Sequence, residues 1–214
     1  MSAPLIAVID YGLGNVRNMV NALNKVGAQP ILTNSKKKIL SADALVLPGV
    51  GAFSHGMQQL KEHALIDVIH KFASTNKPFL GVCLGMQMMF DKSDEFGETK
   101  GLGLIAGDIK IINIDSTKRQ RLPHVGWNNI IVPDNALNWE GTILSGIQNN
   151  ADMYFIHSYA ASPILQDVLL AVTQYHDYIF CSAVKNGNIY GVQFHPEKSA
   201  TSGLLVLKNL ISLA

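Results

Sequence analysis

The sequence is poor in charge, in cysteine and in long apolar runs, and each shortage excludes a class of protein. Its 17 basic and 16 acidic residues nearly cancel, so charge gives no reason to expect nucleic acid or an anionic membrane as a partner. Two cysteines, Cys83 and Cys181, do not make a disulfide framework, which favours a reducing compartment. No apolar run reaches the roughly 18 to 20 residues that span a bilayer. Because the N-terminus also lacks a basic leader, we expect a cytoplasmic protein.

The apolar pattern of the first half predicts a parallel sheet. Continuous apolar runs at Leu5–Ile9, Ala44–Leu47 and Pro78–Val82 are typical of strands that are buried on both faces. Segments with helical spacing separate these runs, and such alternation places helices on both faces of the sheet. The length fits one domain, so we expect residues 1–214 to form a single α/β unit.

The helical segments can be placed from their apolar stripes. One helix should stop at Gly27, and another should begin in the basic run Lys36–Lys38, which we interpret as a solvated helix start. The stripe from Met57 to Phe72 predicts a single helix, and a short helix should run from Leu84 to about Asp91. A last helix is expected at the C-terminus.

The second half of the chain has shorter strands, separated by turn-forming residues. They are predicted at residues 109–114, 129–132, 153–156, 169–172 and 189–192. Antiparallel pairs are expected here, so the sheet should be mixed. The segment Trp139–Gly146 fits none of these strands, and the sequence alone does not explain it.

Cys83 lies in the pattern of a nucleophile elbow, G-x-nucleophile-x-G, which here is Gly81–Gly85. A sharp turn after a strand lifts the nucleophile out of the sheet, and glycines two residues away leave room for the backbone. A helix that starts at Leu84 would favour the thiolate, and the Leu84 N–H could donate to an oxyanion. The alternative is a small buried thiol, because free cysteine is among the most buried residue types. We interpret Cys181 in that way.

A base and an orienting acid follow near the end of the chain. His195 comes after a predicted strand, and Glu197 lies two residues later, where its carboxylate could hold the imidazole as in a Cys-His-acid triad. The alternatives are a strand-end histidine with a surface glutamate, or a metal site formed with Cys83. No further His or Cys recurs at a ligand spacing, so we expect no metal.

Three segments together resemble the class I (triad-type) glutamine amidotransferase family: Pro48–Gly51, Gly81–Gln87 and Phe194–Glu197. The resemblance implies a three-layer α/β fold, with a central mixed, mostly parallel sheet flanked by helices. It also implies hydrolysis of L-glutamine to glutamate and ammonia through a cysteine thioester, without a cofactor. In that scheme Cys83 attacks the substrate, His195 shuttles protons and Glu197 orients His195.

The resemblance assigns further residues around this triad. Backbone N–H groups of Val50 and Leu84 would form the oxyanion hole. Substrate-binding positions would be Gly49, Gly51, Gln87, His157, Ser158 and Tyr159. Without the resemblance, Pro48–Gly49 would be a plain turn, Gln87 a helix surface residue and His157 a strand cap.

Other segments resemble the branch of this family that supplies ammonia to a (β/α)8-barrel cyclase subunit in histidine biosynthesis: Asp10–Asn15, Leu122–Asn128, Tyr154–Tyr159 and Phe194–Ser199. The resemblance implies a heterodimer with that subunit. Partner contacts would include Asp10, Asn15, Lys198 and Trp127, which we place in a glycine-bounded turn. Because free ammonia is mostly protonated in neutral water, direct transfer to a partner is also chemically reasonable.

Two alternatives remain at this level. A paralogue of the same family could supply ammonia for amino-sugar or surface-polysaccharide synthesis, and the unexplained segment Trp139–Gly146 favours it somewhat. A catalytically silent binding module on the same fold is the second alternative, although the complete set Cys83, His195 and Glu197 argues against it.

Overall fold

The computed structural model describes residues 3–115, 117, 120–134 and 138–214. The first half alternates strands and helices in the order β1 (Leu5–Ile9), α1 (Val16–Lys25), β2 (Gln29–Thr33), α2 (Lys36–Ser41), β3 (Ala44–Gly49), α3 (Phe53–Glu62), α4 (Ile66–Ala73), β4 (Phe79–Cys83) and α5 (Leu84–Met88). β1 pairs in parallel with β2 and β3, and β3 pairs in parallel with β4. The predicted parallel sheet is confirmed in this half.

The second half supplies most of the antiparallel pairs. It contains β5 (Phe90–Ser93), β6 (Thr99–Lys100), β7 (Ile105–Ile111), β8 (His124–Ile130), β9 (Ala151–His157), β10 (Tyr159–Pro163), β11 (Leu169–Tyr175), β12 (Tyr178–Asn186), β13 (Ile189–Val192) and α6 (Ala200–Ser212). The main sheet has the order β2-β1-β3-β4-β13-β12-β10-β7-β5-β6, with β11 on β12, and β8 and β9 form a separate ribbon. β13 joins the two halves, because it is parallel to β4 and antiparallel to β12.

The core lies on both faces of this sheet. Alternate residues of β1 contribute to two different apolar clusters: Ile6 and Val8 to one, and Ala7 and Ile9 to the other. This follows from the period of two in a strand, combined with helices on both sides. The expected mixed sheet flanked by helices is therefore confirmed, and β4 lies inside it with Cys83 at its end.

Four of the predicted elements were wrong in extent. The strand expected at 109–114 is β7, which begins at Ile105 and ends at Ile111. The stripe from Met57 to Phe72 belongs to two helices, α3 and α4, because the chain turns at Ala64, whose φ is +51°. The helix after Cys83 ends at Met88, and Asp91 lies in β5. The strand expected at 129–132 is the end of β8, beyond which Ile131 forms only an isolated bridge to Val172.

The segment Trp139–Gly146 packs into the core. The Trp139 indole N–H donates to the Leu170 carbonyl at 2.7 Å, and Ile143 and Leu144 are fully buried. Asn209 of α6 donates to the Ile143 carbonyl at 3.0 Å and also to the carbonyl of Ser145. The segment therefore has a structural role against α6. None of the helices in the described part of the chain is long and apolar enough to cross a membrane.

Candidate active site

Cys83 sits at a strained turn between β4 and α5. Its φ of +55° and ψ of −112° lie outside the regions that non-glycine residues ordinarily occupy. A Cβ on Gly81 would lie 2.8 Å from the Gly85 carbonyl oxygen and the Met86 nitrogen, and one on Gly85 would overlap the Leu47 carbonyl oxygen. The predicted elbow geometry is thus present, and both of its glycines are required by close backbone approach.

His195 and Glu197 form a buried pair. The Nδ1 of His195 lies 2.8 Å from Oε1 of Glu197, and both side chains are about 3% exposed. Burial by itself lowers the pKa of His195, but the neighbouring Cys83 and the Glu197 carboxylate outweigh it and raise that pKa to about 10. Nδ1 therefore carries the proton that is donated to Glu197. Nε2 is buried and has no hydrogen-bond partner among the described residues, which leaves it for the thiol or a substrate.

Most of the predicted site residues line one pocket. Its lining contains Val50, Gly51, Cys83, Leu84, Gln87, His157, Ser158, Tyr159, His195 and Lys198 from the prediction, together with Glu95, Pro123 and Ile156. Gly49 is not among the lining residues; it pairs with Cys83 across the β3–β4 register, with Tyr11 packed against it. Asp10, Asn15 and Trp127 also lie outside this lining. Trp127 is in strand β8, not in a turn, and it is 54% exposed.

The loop that carries Val50 follows β3 beside the elbow. Val50 is 39% exposed, and Gly51 has a φ of +98°, which glycine adopts readily. Leu84 begins α5 directly after Cys83. The two residues predicted for an oxyanion hole therefore border the same pocket as the thiol.

Two of the predicted substrate-binding side chains are hydrogen bonded within the protein. Gln87 Nε2 donates to the Tyr159 carbonyl and to Gln193 Oε1, at 3.0 Å each. His157 Nδ1 donates to the Tyr159 carbonyl at 2.8 Å, and its Nε2 lies 3.1 Å from Nδ1 of His124. Burial lowers the pKa of His157 to about 3, so its ring is neutral. Both ring nitrogens are occupied, and a contact with substrate would use the ring face or the backbone.

Besides Pro123 and Ile156, sequence reasoning missed two polar residues of this site. Glu95 reaches the pocket from the segment after β5, and its Oε2 accepts from the backbone N–H of Phe53 at 2.7 Å. No local pattern marks it. Gln193 is completely buried beside the thiol, and its position two residues before His195 in extended chain could have suggested a shared face. Among the described residues, no group of three His, Cys, Asp or Glu side chains could hold a metal ion.

The arrangement can support acyl transfer: a thiol on an elbow, a buried histidine oriented by a carboxylate, and adjacent backbone donors. Residues 7–211 match the family model described as glutamine amidotransferase class-I. The chain belongs to the class I glutamine amidotransferase family.

Curated relatives of this amidotransferase extend over nearly its whole length. It is 41% identical over 210 residues to the imidazole glycerol phosphate synthase subunit HisH 1 of Legionella pneumophila strain Lens, which covers 97% of this chain and 99% of the relative. It is also 41% identical over 203 residues to the HisH subunit of that synthase from Aquifex aeolicus, with 94% and 93% covered.

Solved structures share the fold of this amidotransferase at lower identity. A crystal structure of a glutamine amidotransferase superposes with a TM-score of 0.72 at 18% identity, and covers 97% of each chain. The structure of PurLQS from Thermotoga maritima gives a TM-score of 0.71 at 20% identity, and covers 98% of each chain. These similarities support the fold alone.

Proposed function

We propose that this amidotransferase is the glutaminase subunit of an imidazole glycerol phosphate synthase, with residues 1–214 acting as one unit. The relatives that bear this name are about 40% identical to it over nearly full length. The observation that carries the chemistry is the shared pocket of Cys83, on its strained elbow, and His195, held by Glu197 at 2.8 Å.

The first half of the proposed reaction forms a thioester. The Cys83 sulfur attacks the side-chain carboxamide carbon of L-glutamine, and the C=O bond opens to an oxyanion. Backbone N–H groups of Val50 and Leu84 would receive that oxyanion, a contribution worth roughly 3 to 4 kcal/mol of barrier for one donor in comparable sites. His195 accepts the thiol proton at Nε2 and gives it to the leaving nitrogen. The oxyanion then collapses and the C–N bond breaks, so that ammonia departs and the acyl group stays on sulfur.

The second half releases glutamate. His195, now neutral at Nε2, takes a proton from a water molecule that attacks the thioester carbonyl, and the proton then returns to the departing sulfur or stays on the imidazole. Glu197 keeps the imidazole oriented through both steps. Every proton transfer in this scheme passes through His195. The proposed scheme uses no cofactor.

Substrate selection would depend on the charges of the α-amino acid group. Glu95 is the one acidic side chain among the described residues of the pocket lining. We place the α-ammonium group of glutamine there, with Gly51, Gln87, Ser158 and Tyr159 lining the remainder. A carboxylate paired with an ammonium forms a charge-assisted hydrogen bond, which is stronger than a neutral one.

The partner would dock beside the mouth of this pocket. Val125 and Trp127 on β8 are 53% and 54% exposed, and Ile156, which pairs with Val125 on β9, is 41% exposed and also lines the pocket. An exposed apolar strip of this kind is typical of an interaction surface. We propose that a (β/α)8-barrel cyclase subunit covers it in a heterodimer, with Asp10, Asn15 and Lys198 as further contacts, and receives the ammonia.

The test is glutamate release from glutamine by this chain alone, and then with a barrel cyclase subunit and its nucleotide ligand. We expect strong stimulation by the liganded cyclase and loss of activity in Cys83→Ala. The matched control is Cys181→Ala, which removes a buried thiol in β12 and should stay active. Glutamine turnover that the liganded cyclase does not stimulate would overturn the assignment to this synthase and favour an amino-sugar or polysaccharide pathway. No turnover with any partner would overturn the glutaminase itself.

A further inference from the structure

A buried glutamine lies between the elbow cysteine and the neighbouring helix. Gln193 is 0% exposed, its Nε2 is 3.7 Å from the Cys83 sulfur, and its Oε1 accepts from Gln87 at 3.0 Å. We infer that Gln193 is a positioning residue, which stabilises the Cys83 thiolate by donating to sulfur and is held in that orientation by Gln87. The inference rests on the proposed function, because it concerns the same nucleophile.

The hydrogen-bond network fixes which end of the Gln193 amide faces the sulfur. The Tyr159 carbonyl can only accept, so the Gln87 atom 3.0 Å from it is the amide nitrogen. That same nitrogen lies 3.0 Å from Gln193, and it must therefore meet the oxygen of Gln193. The NH₂ group of Gln193 is left to face Cys83. Turning this amide over would bring two NH₂ groups together and place an oxygen against the sulfur.

The backbone holds Gln193 firmly at this point. Its N–H donates to the Ser182 carbonyl at 2.9 Å, directly after β13, and His195 follows two residues later in extended chain. Both side chains therefore approach the thiol from the same strand end. A second neighbour of the sulfur, the Ile156 carbonyl at 3.9 Å, can accept from a thiol but cannot stabilise a thiolate.

Gln193 differs in kind from the ionisable groups around the sulfur. Those groups are His195 with Glu197, Tyr11 and His157, together with Glu95 and Lys198 in the pocket lining. An amide donor favours the charged form of its partner, yet it takes up no proton itself. Gln193 can thus stabilise the thiolate without replacing His195 as the proton acceptor.

The experiment measures the pH dependence of Cys83 alkylation by iodoacetamide in the full chain. A Cys181→Ala background leaves Cys83 as the one thiol. Gln193→Met keeps the length and removes the donor, whereas Gln193→Asn keeps an amide and shortens its reach. The matched control is Thr173→Val, which changes another fully buried polar residue on β11.

We expect the alkylation midpoint to rise by about one pH unit in Gln193→Met and by less in Gln193→Asn, with no change in Thr173→Val. Glutamine turnover should fall about tenfold in kcat in Gln193→Met, with little change in KM. An unshifted or lowered midpoint in folded Gln193→Met, or a larger rise in Gln193→Asn than in Gln193→Met, would overturn the inference. Alkylation needs no glutamine, so a shifted midpoint in a chain that never hydrolyses glutamine would uphold this role while refuting the proposed function.

Discussion

The phenol of Tyr11 donates a hydrogen bond of 2.7 Å to the carbonyl of Pro48. Tyr11 is completely buried, and burial, aided by the charge of Cys83, raises its pKa, so the hydroxyl remains a donor. Pro48 lies two residues before Val50, the proposed oxyanion donor. The segment that follows β1 therefore anchors the loop that borders the pocket.

Removal of this anchor should weaken both the fold and the site. In Tyr11→Phe the buried Pro48 carbonyl loses its partner, so we expect the free energy of unfolding to fall by about 1–3 kcal/mol. Glutaminase activity should fall as well, because Val50 is less firmly placed. Urea unfolding and glutamate release measure the two effects. Tyr175→Phe, which removes a 2.8 Å bond to the Arg121 carbonyl outside the pocket, is the control. Equal activity in both variants would contradict the anchoring role.

The elbow should not tolerate a methyl group at Gly85. A Cβ there overlaps the Leu47 carbonyl oxygen, so Gly85→Ala should lose at least about 3 kcal/mol of unfolding free energy, or fail to fold. Gly187→Ala is the comparison, because that glycine also has a positive φ, +59°, but open space around it. Its cost should be only about 1–2 kcal/mol. Similar denaturation midpoints for the two variants would refute the close-approach argument.

The charge of Glu95 should control affinity for glutamine. Glu95 Oε2 accepts from the Phe53 N–H at 2.7 Å. Glu95→Gln retains an oxygen that can accept this hydrogen bond, but it removes the carboxylate that we pair with the α-ammonium group. We expect KM for glutamine to rise about tenfold or more, with a smaller change in kcat. Steady-state kinetics measure KM and kcat for both variants, and Glu98→Gln, which changes an exposed acid, is the control. An unchanged KM would move the α-ammonium group to another part of the pocket.

Glu197 should contribute most to stability below pH 6.5. Burial lowers the pKa of His195, but Cys83 and Glu197 together raise it from 6.5 to about 10 in the fold. The charged His195 therefore stabilises the protein fully below pH 6.5, in part through Glu197, and this effect is lost as pH rises through 10. The stability deficit of Glu197→Gln should therefore shrink between pH 6.5 and 10. Activity should fall by up to about 10⁴-fold, as for the equivalent change in other triads. A deficit that stays constant over this pH range would show that the ion pair is absent.

Two buried histidines should make the protein sensitive to acid. His124 and His157 are 3% and 6% exposed, and burial lowers their pKa values to about 4 and about 3. Their neutral forms stabilise the fold above pH 6.5, and this stabilisation is lost as pH falls towards these values, by up to about 2 kcal/mol for each histidine at pH 5. The difference in unfolding free energy between pH 7 and pH 5, measured with urea, should be smaller in the double variant His124→Gln/His157→Gln than in the parent. The exposed-histidine variant His63→Gln should behave like the parent, and an equal loss in all three chains would contradict the prediction.

Local patterns predicted the turn at Cys83 and the contact between His195 and Glu197, which the structure shows. Gly81 and Gly85 flank Cys83, and His195 and Glu197 lie two apart, so each set is defined within five residues. Element boundaries were predicted less well, since the helix from Met57 to Phe72 divides at Ala64. The apolar stripe continues through that break because both helices bury apolar residues in the same cluster, and periodicity alone cannot detect such a turn.

By itself, the sequence determined the alternation of strands and helices and the residue types that meet at the elbow, because propensity, burial pattern and glycine spacing act over a few residues. The tertiary structure decided which distant side chains join them. Gln193 contacts Cys83, which is 110 residues away in the sequence, and Glu95 accepts from Phe53, which is 42 residues away. Both ring nitrogens of His157 are hydrogen bonded to protein groups. Such contacts depend on sheet order and register, which bring together segments that carry no local sign of one another.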